Sequence, residues 1–222
     1  MNHTEIINYL IETHNYKSYL EIGVDNGNNF SHINIENKES CDITNNHWEL
    51  EYPITYLMPS DELFKCLHMD KKYDIIFIDG MHNDHYVFRD IINSLQHLNK
   101  GGLICVHDTF PSNAEETYPY YPLTGRWNGN VYKAILSLQD FNIEFYTIIN
   151  NDDGLTIIKY FDNPYSLNVN GYKPKDIRYD YLFGSFKNLS DDNIIHYSDQ
   201  GMYAMHMIYE NDFINKVENK EI

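Results

Sequence analysis

The stretch YLEIGVDNGNNF, Tyr19 to Phe30, carries an apolar run into Gly23 and reaches a second glycine at Gly27. It reads either as a strand entering a glycine-rich cofactor loop or as a tight turn in an ordinary domain. The spacing is G-x-x-x-G and lacks the third glycine of G-x-G-x-x-G, which speaks against a standard dinucleotide fingerprint. The loop alone does not decide between the two readings; the chain on either side does.

Upstream, Ile6, Ile7, Leu10 and Ile11 recur at helical spacing behind Thr4, a candidate N-cap, and predict a helix over 4–14. Downstream, ESCDI (39–43) and ITYLM (54–58) are short strand candidates. YDIIFIDG (73–80) and GGLICVHD (101–108) are nearly unbroken apolar runs, the pattern of parallel strands buried on both faces, and both end in an acid. Phe88, Ile91, Ile92, Leu95 and Leu98 mark one helical face, and Val131, Ala134, Ile135 and Leu138 another. IEFYTII (143–149) and GLTIIKY (154–160), joined by NNDDG, predict an antiparallel hairpin. Strands alternating with helices imply an α/β fold around a mainly parallel sheet, whose ligands sit beyond the carboxyl ends of the strands. Glu21, Asp42, Asp79 and Asp108 all fall near such ends. Past Asp162 the periodicity fades into a Tyr- and Asn-rich tail with NVNGYKPKD (168–176) as a loop. The division expected is a domain over 1–162 and an extension over 163–222 packed on it, as a lid or an oligomer contact.

The composition sets outer limits. A chain of 222 residues suffices for one well-cored domain, and 42% hydrophobic with 15% aromatic residues is a folded composition. A formal charge of -17 opposes nucleic acid and anionic membranes as partners. Cys41, Cys66 and Cys105 form no C-x-x-C pair and predict reduced thiols. MNHTEIINYLIETHNYKS shows no basic segment leading into an apolar core, and no run nears the roughly 20 apolar residues of a membrane span. A cytoplasmic protein, with homo-oligomers open, is the expectation.

The strand, E-x-G-x-x-x-G loop and helix, with Asp42 lying 21 positions after Glu21, resemble the class I S-adenosylmethionine-dependent methyltransferases. MPSDELF (58–64), FIDGMHNDHYVFRDI (77–91), LNKGGLICVHDTFP (98–111), WNGNVYKAI (127–135) and TIINNDDGLTII (147–158) follow in order. Together they are similar to the branch containing the macrocin and mycinamicin sugar O-methyltransferases, over roughly residues 17 to 160. The resemblance implies a Rossmann-like methyltransferase sandwich: a mainly parallel seven-stranded sheet with a terminal antiparallel strand and helices on both faces. It implies S-adenosylmethionine as cofactor. Glu21, Gly23 and Gly27 would shape the loop around the methionyl moiety, and Asp42 would accept the ribose hydroxyls. Ser60, Asp61 and Asp79 would complete that site, with Ser60 and Asp61 on the adenine side. Ser60 is equally a helix N-cap with acids favouring the helix dipole.

By the same likeness Asp79, His107 and Asp108 would hold a divalent metal, Mg²⁺ or Mn²⁺. The branch usually carries an acid where His107 stands, so the two acids alone binding substrate is the other reading. His82, three residues after Asp79, takes the general-base position, with Asp79 beside it as the second catalytic residue. A neutral imidazole there would accept a proton near physiological pH; a polar loop residue is the plainer reading. His85 reads as structural or exposed, Trp127 as stacking on a ligand or packing, and YPYYPLTGR (118–126) as a substrate-covering loop. The function expected is methyl transfer to a hydroxyl of a sugar, in a nucleotide sugar, glycan or glycosylated metabolite. A catechol-type phenolic O-methyltransferase, an NAD-binding domain and a silent cofactor-binding module are the alternatives.

Overall fold

The computed structural model describes residues 1–45, 53–113, 115–118, 120–121, 125–141, 143–149, 152–160, 162, 164, 167 and 205–222. The 168–176 loop, most of the 163–222 extension and parts of the 118–126 and 150–154 segments lie outside these residues.

Helix α1 (His3–His14) begins two residues before the chain reaches Glu5, and its cap is Asn2, not Thr4. The Asn2 side chain accepts from the Glu5 N–H at 2.9 Å while the Glu5 carboxylate accepts from the Asn2 N–H at 2.9 Å, a reciprocal capping box. Thr4 instead donates to the Asn29 side chain. Strand β1 (Ser18–Ile22) leads through the glycine loop to the short α2 (Asn28–His32). Then follow β2 (Asn37–Asp42), β3 (Tyr56–Leu57), α3 (Ser60–Cys66), β4 (Tyr73–Ile78), α4 (Asp84–Gln96) and β5 (Leu98–His107). Leu98 therefore opens β5 and does not close the helix before it. Helix α5 (Val131–Ser137), β6 (Phe145–Ile149), β7 (Leu155–Lys159), β8 (Met207–Tyr209) and α6 (Glu210–Glu218) complete the described elements.

One sheet joins all the described strands in the order β3-β2-β1-β4-β5-β7-β6-β8. The first five pair in parallel, and β7 runs antiparallel between β5 and β6. The expected seven strands become eight, because Met207–Tyr209 of the extension adds a parallel edge to β6. Alternation along the central strands builds two cores. Ile76, Ile78, Ile104 and Val106 pack with Leu63, Phe88, Ile91 and Ile135 on one face. Ile75, Phe77, Leu103 and Cys105 pack with Ile6, Leu10, Phe213 and Val217 on the other. Helices α1 and α6 thus cover one face, and α3, α4 and α5 the other. The cysteines are all thiols, with Cys66 exposed. Among the described residues no helix is long and apolar enough to cross a membrane.

One buried acid in the helix layer carries a stability prediction. Asp90 of α4 is 4% exposed and bonded to the Ser60 hydroxyl. Burial pushes its carboxyl up to about 7, aided by the charge of Asp61. Between its ordinary value and about 7 the folded state holds a proton that the unfolded chain releases, so stability falls as pH rises through that window. Asp90→Asn removes the charge and retains a polar partner for Ser60. The variant should match the wild type near pH 4 and melt higher at pH 8, by a few kcal/mol at about 1.4 kcal/mol per pKa unit. Parallel stability curves across that range would refute the buried-charge account.

Candidate active site

The strand order reverses between β1 and β4, and the carboxyl ends of β1, β2, β4 and β5 meet there. This is the ligand crevice of an open α/β sheet. Gly23 adopts φ +82, and a Cβ on it would lie 2.2 Å from the Asp79 carbonyl oxygen and 2.5 Å from the Gly80 Cα. The glycine is thus required by a chain crossing: the loop after β1 is pressed against the end of β4. Gly27 stands at φ 75 as the N-cap of α2. Asp42, at the end of β2, accepts from the Val24 N–H at 2.8 Å and the Asp25 N–H at 3.3 Å. Its other oxygen accepts from the Thr44 N–H at 2.9 Å. The second-strand acid and the glycine loop therefore form one unit.

Glu21 lies within β1 and is 1% exposed. Its carboxyl receives the Tyr19 hydroxyl and, at 2.8 Å, the Asn29 amide, and burial pushes it up to about 8. It tethers α2 to the strand and so shapes the loop from beneath. Asn29, which also accepts from Thr4, went unnoticed in the sequence because its partners lie on separate elements. Ser60 and Asp61 open α3, whose N-cap is Pro59 with no side-chain capping bond. The capping reading of Ser60 fails because that hydroxyl turns to Asp90, and Asp61 pairs with Arg89 at 2.7 Å.

Asp79, His82, His107 and Asp108 come together at the ends of β4 and β5. His82 Nε2 lies 3.0 Å from Asp108 Oδ2 and 3.5 Å from Asp79 Oδ1. His107 Nδ1 lies 3.4 Å from Asp79 Oδ1 and 3.6 Å from Asp108 Oδ2. Ligand atoms of Asp79, His82 and Asp108 all fall within 4.8 Å of one another, a spacing that fits a divalent cation. His82 is thus a nearer companion of the two acids than the sequence comparison implied. Asp108 is held at φ 59, a left-handed conformation that Asp tolerates better than most residues.

Electrostatics couple the four groups. Burial disfavours the Asp79 carboxylate, but the imidazoles of His107 and His82 outweigh it and hold Asp79 well below the usual carboxylate range. Burial pushes the Asp108 carboxyl up, with the charge of Asp79 adding to it. Burial also opposes charge on His82, yet Asp79 and Asp108 prevail and raise it to about 9. His107 rises in the same way, to about 10. With only these residues present, His82 is an imidazolium near neutrality. That differs from the expected neutral base, because the two carboxylates surround it.

The far wall was only partly legible. The His82 Nδ1–H donates to the Trp127 carbonyl at 2.9 Å, and the two rings stack 4.6 Å apart. Trp127 therefore packs on the histidine and fixes it with Nε2 toward the acids. Gly129 is compelled to pass beneath His82: a Cβ on it would meet the His82 carbonyl oxygen at 1.9 Å. Asn128 is fully buried and donates to Asp108 at 3.1 Å, while its own side-chain oxygen has no protein partner among the described residues. Such an orphaned buried acceptor suits an internal water. His85 is exposed on the first turn of α4, and Tyr118 and Tyr121 are exposed, Tyr121 edge-on to Trp127.

Residues 20–109 match a family profile described as a methyltransferase domain. Among solved structures, the chain is similar to an S-adenosylhomocysteine-bound methyltransferase from Podospora anserina, PaMTH1. The TM-score is 0.53 and the identity 17%, over 72% of this chain and 78% of that one. It is similar to TomG, an O-methyltransferase of tomaymycin synthesis from Streptomyces achromogenes, in complex with S-adenosylmethionine. That match has a TM-score of 0.53 and 12% identity, over 71% of this chain and 78% of that one. An O-methyltransferase from Bacillus cereus in complex with S-adenosylhomocysteine matches with a TM-score of 0.51 and 12% identity, over 71% and 80%. No curated protein matches the chain in sequence. The fold is that of the class I S-adenosylmethionine-dependent O-methyltransferases.

Proposed function

We propose that this protein transfers a methyl group from S-adenosylmethionine to a hydroxyl, and that the acceptor is a sugar. The observation that carries the reading is the convergence of Asp79, His82 and Asp108 beside the Gly23 crossing, at the switch point of a methyltransferase sheet. The sugar acceptor rests on the ordered motifs that resemble the macrolide-sugar enzymes.

When bound, S-adenosylmethionine supplies a methyl already activated by its sulfonium, so the protein has mainly to orient the acceptor and remove a proton. Asp42, already joined to the glycine loop, would accept the ribose hydroxyls. Asp79 and Asp108 would hold a divalent cation, which would supply charge to lower the pKa of the acceptor hydroxyl and would leave His82 Nε2 free. His82, oriented by Trp127, takes that proton on Nε2. His107 stands behind, its Nδ1 against Asp79 and Asp108. A thiol-bearing chain using this cofactor fits the cytoplasm.

S-adenosylhomocysteine should raise the melting temperature, by about 2.7 kcal/mol of stabilisation at a hundredfold excess over Kd. Stabilisation by NAD and none by S-adenosylhomocysteine would overturn the reading. A mass-spectrometric screen for a methyl-sized gain should find acceptors among sugar nucleotides, and gains confined to catechols would move the assignment to phenols. EDTA should suppress turnover, Mg²⁺ or Mn²⁺ should restore it, and Asp108→Asn should resist rescue. Full turnover in EDTA would leave the acids as hydrogen-bond acceptors for substrate.

A further inference from the structure

Behind the catalytic acids lies a second group of ligating side chains. His3 opens α1, His107 ends β5, and Asp152 lies in the turn between β6 and β7. Asp152 Oδ2 accepts the His3 backbone N–H at 2.8 Å and lies 2.5 Å from His3 Nδ1. His107 Nε2 is 2.9 Å from the Asp152 carbonyl oxygen and 3.9 Å from Oδ2. The two imidazole rings stand 4.4 Å apart, and Phe77 stacks on His3 at 5.6 Å as an apolar floor. One ligand atom from each of the three lies within 4.8 Å of the other two.

We infer that His3, His107 and Asp152 form a second cation site, for a borderline divalent transition ion, back to back with the Asp79–His82–Asp108 group. Two imidazoles and one carboxylate make a nitrogen-rich set that selects zinc-like ions over Mg²⁺, whereas the acid pair in front favours oxygen-seeking ions. The trio is reachable from solvent, with side-chain exposures of 20% for His3 and 31% for Asp152 against 10% for His107. Metal–nitrogen and metal–oxygen bonds of about 2.0–2.2 Å would require His3 Nδ1 and Asp152 Oδ2 to part from their present contact by rotating the two partly exposed side chains. The ion takes the place of the proton between His3 and Asp152 and of the one that His107 Nε2 donates to the Asp152 carbonyl, which leaves His107 protonated on Nδ1 toward Asp79 and Asp108. His107 is the hinge of the arrangement. Its Nε2 faces the trio and its Nδ1 faces Asp79 and Asp108, so an ion behind fixes the ring that bounds the front site. The site does not depend on methyl transfer being the reaction.

The test uses the full chain without an affinity tag, titrated with Co²⁺ by calorimetry in excess Mg²⁺, together with anomalous diffraction from Co²⁺-soaked crystals. One Co²⁺ per chain should bind despite the Mg²⁺, with an anomalous peak between His3, His107 and Asp152. His3→Ala and Asp152→Asn should each weaken it at least about tenfold. The exposed His68→Ala should leave it within a few-fold. His3 lies near the chain end, and far-UV circular dichroism with a thermal melt confirms that its variant folds. The inference is overturned if no Co²⁺ binds in excess Mg²⁺, if the His3 and Asp152 variants bind unchanged, or if the peak lies only on Asp79 and Asp108.

Discussion

His82→Ala should slow methyl transfer by about 10²- to 10⁴-fold, some 3 to 5 kcal/mol of barrier, and leave S-adenosylhomocysteine affinity unchanged. The expectation rests on the aim of its ring: Nδ1 is committed to the Trp127 carbonyl, and Nε2 faces Asp79 and Asp108. The pH profile separates this role from simple packing. A base works deprotonated, so the rate should climb as pH passes the imidazole's own value, about 9 with only the protein's groups around it. Any turnover in EDTA should therefore show its ascending limb near pH 9, and added Mg²⁺ should move the limb lower by offsetting the two carboxylates. His82→Ala should lack the limb, while His85→Ala, exposed on α4, should remain within a few-fold of wild type. A His82 variant that keeps both the limb and most of its turnover would transfer the role to His107.

Gly23→Ala should be among the most damaging single-atom additions to the chain. The added Cβ would sit 2.2 Å from the Asp79 carbonyl oxygen, against backbone that no side-chain rotation can clear. A left-handed residue costs about 1–2 kcal/mol and forced displacement in a packed region about 1–3 kcal/mol. The sum, near 4 kcal/mol, should lower Tm by roughly 10 °C in a chain of this size. Because the loop carries the backbone groups that hold Asp42, S-adenosylhomocysteine should also cease to stabilise whatever folds. Gly101→Ala is the control. It shares a positive φ of +79 but has nothing within 4 Å, so it should pay the backbone cost alone. Equal losses at the two glycines would refute the crossing as the cause.

The central strands, and the acids one residue beyond them, were legible in the chain alone. Burial on both faces leaves an apolar run that needs no partner to be recognised, and a strand's last residue follows from where the run stops. Asp79 and Asp108 could therefore be placed at strand ends from YDIIFIDG and GGLICVHD alone. The E-x-G-x-x-x-G spacing likewise located the loop, although its first glycine answers to the Asp79–Gly80 backbone. Tertiary structure alone decided what crosses what and which charges meet. Gly129 beneath His82, Asn29 on Glu21 and the His3–Asp152–His107 group all join residues whose separation is set by strand order. No local period encodes such contacts. The protonation of His82 belongs to the same class: an imidazole's charge depends on the carboxylates folded around it, and a sequence states only that the imidazole is there.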